Sequence, residues 1–199
     1  LGARDRLRVE SHFGRACFDR GARGRLARLW CVRPDARLRH QREHERGLRA
    51  QIDSGEIEFR EVFNIHPFGN RLRLVLLTGE MIREIVEHQW RENSSARILQ
   101  VSGLSYTWDG AQATGRRAVS ILVNGKPLDS TREYSVAVNE FLAEGGDGFA
   151  AFLKGTVVSR GTTDCEAVCA YFAGRQEPVA TGIEGRIRKV GPTDAGSAP

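Results

Sequence analysis

Residues 71–90 read RLRLVLLTGEMIREIVEHQW, and this stretch decides the fold. Leucine recurs at positions 72, 74 and 76, a spacing of two that predicts a strand over 71–77. Thr78 then offers a side-chain oxygen as N-cap, and apolar residues follow it at intervals of three or four. The spacing predicts a helix over 79–92 with one buried face.

Shorter runs on the C-terminal side predict further elements. Strands are expected at 98–101, 104–108, 119–123, 134–138 and 187–190. Asn124-Gly125 follows one of these runs and is a strong hairpin signal because both residues tolerate positive φ. A second helix is expected over 163–174, with Cys165, Val168, Cys169 and Phe172 on one side. Together the elements predict an α+β fold with mixed, mostly antiparallel sheets covered by helices.

The composition is that of one globular domain. The chain has 199 residues, 40% hydrophobic and 28% charged, and no run approaches the 18 or so apolar residues of a membrane span. Four cysteines are too few for a disulfide scaffold. The chain begins at Leu1 without a charged and then apolar leader, so we expect a fragment with no visible signal peptide.

Positive charge is concentrated at the start of the chain. Residues 1–50 contain 14 Arg against 6 Asp and Glu, a net +8, whereas residues 51–199 carry 16 basic against 19 acidic residues, a net −3. Segment 1–46 lacks a sustained period, so we expect it to be non-native, as after an out-of-frame translation, or a disordered basic arm, with genuine structure as the third alternative. A folded domain is expected over 47–190 and a disordered tail over 191–199. Because the excess is Arg without Lys, nucleic acid is an unlikely partner.

Two loops have the chemistry of a ligand site. Gly145-Gly146-Asp147-Gly148 frames a carboxylate with residues that let a ligand approach the backbone, although a tight turn explains the same pattern. Phe68 follows Pro67 at the apex of another loop, where an aromatic ring can stack on a flat ligand. The alternative is that Phe68 belongs to the core.

Metal and nucleophile motifs are weak. His40-Gln41-Arg42-Glu43-His44 matches an H-x-x-E-H zinc pattern, but the surrounding arginines oppose a dication. Cys165 and Cys169 are expected to be packing residues, not a disulfide or a metal pair. Without a defensible nucleophile set, the ordered part is expected to bind a ligand and to lack a complete catalytic apparatus.

An ordered set of short motifs resembles the C-terminal domain of the 5'-nucleotidase/UDP-sugar hydrolase family, over about residues 47–190. The motifs are GEI at 55–57, VFN at 62–64, PFGN at 67–70, LTG at 77–79, LQVSGL at 99–104, YSVAVN at 134–139, FLA at 141–143 and GGDGF at 145–149. The resemblance implies a layered α/β/β/α-like domain.

The resemblance also implies roles for single residues. In the family two Phe side chains hold the base between them, and they correspond to Phe68 and Phe141. The acid that binds the ribose hydroxyls corresponds to Asp147, framed by Gly145 and Gly146, and a ligand-contacting arginine corresponds to Arg49. Residues 44–46 read His, Glu and Arg, and they depart from the family's Asn-x-Gly-Gly-Ile-Arg stretch.

What the family does is carried over here as an expectation. This chain would be the nucleotide- or nucleoside-binding C-terminal domain of a 5'-nucleotidase-like phosphoric monoester hydrolase, itself inactive and binding no cofactor. The missing N-terminal metallophosphoesterase domain would hold two divalent metals and be the chain's partner. The alternatives are a fragment of a 2',3'-cyclic-nucleotide phosphodiesterase and a non-catalytic nucleoside-binding module. The family resemblance implies an extracellular, periplasmic or cell-wall location.

Overall fold

The structure is a computed structural model that describes residues 49–50, 52, 55–90, 96–175 and 184–190. Segment 1–46, tail 191–199 and the H-x-x-E-H pattern at 40–44 lie outside the described residues. The described chain forms helices and two sheets whose strands are mostly antiparallel, which confirms the α+β expectation. No helix in the described ranges combines the length and the apolar character that a membrane crossing requires.

The elements follow one another in a simple order. They are helix α1 Phe59–Ile65, strand β1 Arg71–Thr78, helix α2 Gly79–His88, strands β2 Leu104–Trp108, β3 Ala118–Val123, β4 Lys126–Pro127 and β5 Glu133–Asn139, helix α3 Glu140–Ala143, strand β6 Thr156–Thr163, helix α4 Asp164–Ala173 and strand β7 Ile187–Lys189. Two short 3₁₀ segments, Gly146–Gly148 and Ala150–Lys154, lie between α3 and β6.

Strand β1 is the centre of the first sheet. It pairs antiparallel with β5 on one side and β6 on the other, so the expectation of a strand at 71–77 is confirmed. The side chains of Leu74 and Val75, which point to opposite faces, are both buried. Burial on both faces explains why the run is apolar at nearly every position rather than strictly alternating.

The second sheet has the order β4-β3-β2-β7. The Asn124-Gly125 hairpin is confirmed, with φ values of 49° and 78° between β3 and β4. The alternation of Val119, Ile121 and Val123 predicts one buried strand face, but Val119 is 58% exposed. Thr107 pairs with Ser120 whereas the next residue, Trp108, pairs with Ala118, so Val119 is the extra residue of a bulge and turns away from the core.

A single core joins the two sheets through helix α2. Thr78 caps this helix as expected, because its hydroxyl accepts a hydrogen bond from the Met81 N–H. Ile82 and Ile85 on the buried face of α2 belong to the same apolar cluster as Val136 of β5 and Ile121 of β3. The loops at the ends of the first sheet are therefore carried on a packed scaffold.

The structure around Gln89 differs from two expectations. Helix α2 ends at His88, not at residue 92, and the buried Gln89 amide turns back to donate to the Val86 carbonyl at 2.9 Å. The expected strand at 98–101 is absent from these described residues, because the Leu99 N–H donates to the Gln89 side chain and not to a neighbouring strand. Tyr106 O–H donates to the same Gln89 oxygen, and burial raises the pKa of Tyr106.

Helix α4 forms where expected but buries a different face. Besides Cys165, its buried residues are Asp164, Ala167 and Tyr171, whereas Val168, Cys169 and Phe172 are only half-buried. The face is rotated because α4 packs against α1 and β6, two elements that the sequence analysis did not predict. At the C-terminal end, Val190 lies just beyond β7 and is exposed.

Candidate functional site

One loop and two helix starts lie at the same end of the first sheet. Leu72 at the start of β1 lies opposite Asn139 at the end of β5, and Arg71 lies opposite Thr163 at the end of β6. The segments before β1, after β5 and after β6 therefore lie at the same end of the strands of the first sheet. We call this end the loop edge. Phe68 precedes β1, and Phe141 follows β5, so the register brings both predicted aromatic residues to this edge.

Phe68 is on the surface of the described structure and not in its core. The residue is 45% exposed, which excludes the core alternative. The Arg49 guanidinium lies over the ring at 5.2 Å from the centroid, and the Arg49 N–H donates to the Ile65 carbonyl at 3.0 Å. The imidazole of His66 meets the Phe68 ring edge-on, with centroids 6.0 Å apart. Arg49 and Phe68, two of the predicted site residues, are thus in contact.

Phe141 is also presented to solvent, with 48% of the residue exposed. It lies in the single turn of α3, which Asn139 caps by accepting a hydrogen bond from the Leu142 N–H at 2.9 Å. Gly146 fits beneath it: a Cβ at Gly146 would lie 2.4 Å from the Phe141 carbonyl oxygen and 2.6 Å from ring atoms Cε1 and Cζ. Gly146 is therefore required as the support of the ring.

The Gly-Gly-Asp-Gly turn holds Asp147 in an unusual backbone conformation. Asp147 has φ of 55°, in the left-handed region, and Gly145 and Gly148 have φ of 80° and 78°. A non-glycine residue in this region is uncommon and indicates a position that the surrounding structure fixes. The Asp147 side chain remains 43% exposed, so its carboxylate is held at the surface.

Arg97 is the site neighbour that sequence reasoning missed. Its guanidinium forms an ion pair with the Asp147 carboxylate and also donates to the Asp147 carbonyl at 3.1 Å. Arg97 lies in the irregular segment after α2, 50 positions from its partner, and no motif in the sequence marks it. The pair fixes one oxygen of Asp147 while nearly half of the side chain stays open to solvent.

An ion pair and a carboxylate–imidazole contact involve residues close in the chain to the exposed rings. Arg73 of β1 is buried and pairs with Glu140, the residue before Phe141. His66 and Asp164 are both buried, with 3.4 Å between Nδ1 and Oδ2. The buried Arg73 guanidinium needs its partner, because an unpaired charge away from water is strongly unfavourable.

A metal cluster and a reactive cysteine pair are two kinds of site that the sequence analysis considered. No group of three or more His, Cys, Asp or Glu side chains in the described ranges is arranged to hold a metal ion. Cys165 and Cys169 are free thiols on α4. Burial raises the pKa of both thiols, that of Cys169 to about 11, so they are protonated packing groups at neutral pH.

This fold and the motifs on its loop edge have a known counterpart. Residues 44–154, more than half of the chain, match the family described as "5'-nucleotidase, C-terminal domain". The chain belongs to this 5'-nucleotidase family. The family resemblance inferred from the sequence motifs is therefore confirmed, and so is the fold class.

Individual proteins extend the family match. The chain is 34% identical over 152 residues to the trifunctional nucleotide phosphoesterase protein YfkN of Bacillus subtilis, and 37% identical over 111 residues to the cell wall protein Lmo0130 of Listeria monocytogenes. These alignments cover 72% and 54% of this chain. The crystal structure of a 5'-nucleotidase precursor from Thermus thermophilus is 37% identical, with a TM-score of 0.65 over 72% of this chain.

The 5'-nucleotidase family members found are much longer than the part that this chain matches. The alignments span 10% of YfkN, 14% of Lmo0130 and 30% of the Thermus thermophilus chain. The activity of a whole 5'-nucleotidase is therefore not carried over to this chain by the match itself.

Proposed function

We propose that this chain is the nucleoside-binding domain of a 5'-nucleotidase-like phosphoric monoester hydrolase. The base would lie between the rings of Phe68 and Phe141, and the ribose hydroxyls would donate to Asp147. The observation that carries the proposal is that the register of β1 with β5 brings the segments of two half-exposed rings to the loop edge, and the half-exposed Asp147 follows Phe141 closely in the chain. Soluble domains place such rings on the surface at a cost, since burial of an aromatic side chain is favourable.

The chemistry of these groups suits a nucleoside. A purine offers two flat faces, and stacking on one aromatic ring contributes about 1–3 kcal/mol. A carboxylate accepts hydrogen bonds from two neighbouring hydroxyl groups, and charge-assisted bonds of this kind are stronger than neutral ones. Arg97 keeps Asp147 oriented, and Arg49 beside Phe68 adds positive charge where a phosphorylated ligand would need it.

We propose the folded unit as residues 47–190. The first and last elements described are α1 from Phe59 and β7 to Lys189, and the family match begins at residue 44, close to the proposed start. Hydrolysis would be carried out by two divalent metals in an N-terminal metallophosphoesterase domain, and the present residues would bind and orient the nucleoside. The chain by itself would then bind a nucleoside without hydrolysing a nucleotide.

We also propose a place outside the cytoplasm, in the periplasm, at the cell wall or in the medium. The support is the relative from Listeria monocytogenes, which is named as a cell wall protein.

Calorimetric titration of the 199-residue chain with adenosine tests the binding site. We expect saturable binding that weakens by about 5- to 150-fold in Phe68→Ala and in Phe141→Ala, the loss of one stacking platform. The matched control is Phe59→Ala, because Phe59 is also an exposed ring, but it stacks on Phe63 and stands at the start of α1, whose other end leads into the Phe68 loop. Absence of binding by the folded chain, or an equal loss in Phe59→Ala, would refute the site.

Hydrolysis assays separate the remaining alternatives. The chain is incubated with 5'-AMP or 2',3'-cyclic AMP and Mg²⁺ or Mn²⁺, alone and after fusion to the metallophosphoesterase domain of a family member. No turnover by the chain alone and turnover of 5'-AMP by the fusion are the expected results. Preferential turnover of the cyclic ester would favour the phosphodiesterase alternative, and turnover by the chain alone would contradict the division of labour proposed here.

A further inference from the structure

One residue of α4 contacts both ends of the loop that carries Phe68. The loop comprises residues 66–70, between α1 and β1. At its start, the Asp164 carboxylate pairs with the His66 imidazole, with 3.4 Å between Oδ2 and Nδ1. At its end, the Asp164 N–H donates to the Asn70 carbonyl at 2.8 Å. Asp164 therefore fixes the separation of the two loop ends.

His66, which Asp164 contacts, lies in turn against the Phe68 ring. The imidazole stands edge-on to Phe68, with an interplanar angle of 84°, and only 6% of its side chain is exposed. A ring so enclosed cannot reorient without breaking its contacts, because close-packed surroundings resist rotation. The enclosed imidazole therefore provides a fixed contact on one side of the Phe68 ring.

The Asp164–His66 contact is not explained by helix capping. The Asp164 Oδ1 atom accepts from the Cys165 N–H at 2.8 Å and serves the first turn of α4. The N-cap is a different residue, Thr163, which forms a capping box with Glu166. The Oδ2 atom and both imidazole nitrogens are buried and make no hydrogen bond to any described residue. Burying these polar atoms without hydrogen bonds costs free energy of folding, which the attraction between the carboxylate and the imidazole offsets only while the two groups stay adjacent.

We propose that Asp164 and His66 are positioning residues that hold the Phe68 ring in the orientation needed to stack on a nucleoside base. The inference rests on the function proposed above and extends it to two buried residues that contact no ligand. Asp164 and His66 act through loop 66–70: they hold the orientation of the Phe68 ring, and the ring contacts the base.

The experiment is a double-mutant cycle on the full chain with adenosine as ligand. Asp164→Asn keeps the backbone N–H to Asn70 and an oxygen for Cys165, but it removes the negative charge that faces His66. We expect about tenfold weaker binding in Asp164→Asn and no further weakening when the same change is made in Phe68→Ala. A purely structural role of Asp164 would lower affinity by the same factor in both backgrounds, and that result would overturn the proposal.

Glu166→Gln is the matched control, since Glu166 lies in the same first turn of α4 but bonds Thr162 and Thr163, not the loop. Its affinity for adenosine should equal that of the parent chain. If Asp164→Asn does not fold, His66→Gln tests the same contact from the other side, with the same expectation in the cycle.

A second readout separates this proposal from the proposed function. The NMR signals of the Phe68 ring in the ligand-free chain depend on the neighbouring imidazole, so they should shift in Asp164→Asn and stay unchanged in Glu166→Gln. Unchanged Phe68 signals in Asp164→Asn would overturn the positioning role even if adenosine binds. If the Phe68 signals shift in Asp164→Asn but the parent chain does not bind adenosine, the positioning of the ring is supported and the nucleoside site is refuted.

Discussion

Substitution of Gly146 by alanine separates a role in folding from a role in binding. The added Cβ would lie 2.4 Å from the Phe141 carbonyl oxygen and 2.6 Å from two atoms of its ring. Cβ contacts below 3.0 Å essentially never occur, so the carbonyl must retreat by at least the difference of 0.6 Å and the ring by at least 0.4 Å. Gly146 does not have a positive φ, so the clash with Phe141 is the physical cause of the expected effect.

Gly146→Ala should lower both the folding stability and the affinity for adenosine, because it displaces the Phe141 ring. Overpacking of this kind costs about 1–3 kcal/mol of folding stability. Displacement of Phe141 from the base removes one stacking platform, which corresponds to about 5- to 150-fold weaker adenosine binding. We therefore expect Gly146→Ala to reproduce the binding defect of Phe141→Ala while the domain remains folded.

The assay pairs calorimetric titration with adenosine and urea unfolding of the same samples. Gly115→Ala is the control: Gly115 has φ of 84° and open space around its Cβ position, so alanine there strains the backbone in the loop between β2 and β3 without touching Phe141. It should lose stability and keep affinity. A folded Gly146→Ala variant with the parent's affinity would refute the argument that Gly146 supports a ligand-binding ring.

Further expectations concern the two charged contacts near the loop edge. Glu140→Ala leaves the Arg73 guanidinium buried without its partner, so the free energy of unfolding, measured with urea, should fall by about 3–5 kcal/mol, and a change below about 1 kcal/mol would contradict this. Hydrogen bonds from Thr162 and Thr163 lower the pKa of Glu166 from 4.5 to about 2, so its contribution to stability is present above about pH 4.5 and is lost as the pH falls toward 2. Glu166→Gln should remove that part of the acid dependence in thermal unfolding scans, and an unchanged pH profile would show that the capping box does not produce it.

The sequence predicted the elements whose pattern is local. The alternation around β1, the Thr78 cap and the Asn124-Gly125 hairpin all depend on residues a few positions apart, and all are confirmed. Val119 could not be assigned correctly, because the bulge that turns it outward is a property of the pairing between β2 and β3. Periodicity in one strand contains no information about the register with its neighbour.

The same division holds for the candidate site. Phe68 and Asp147 could be singled out because turns and glycines mark their loops, whereas Phe141 was identified only through the resemblance of its motif to a family. Arg97 and Asp164 could not, since each gains its role from a partner about 50 or 100 positions away. Contacts at such separations are determined by the packing of the sheet and helices, and they cannot be inferred from the type of side chain alone.

The central place of β1 has a consequence for synthesis of the protein. Its two neighbours lie about 60 and 90 positions further along the chain, so the strand has no backbone partner until β5 and then β6 have left the ribosome. During that interval RLRLVLLT is an exposed, strongly apolar segment, the kind that nascent chains use to associate wrongly with one another. Arg71 and Arg73 are the charges within that segment, and we expect them to limit such association, as charges within apolar strands do, until folding buries Arg73.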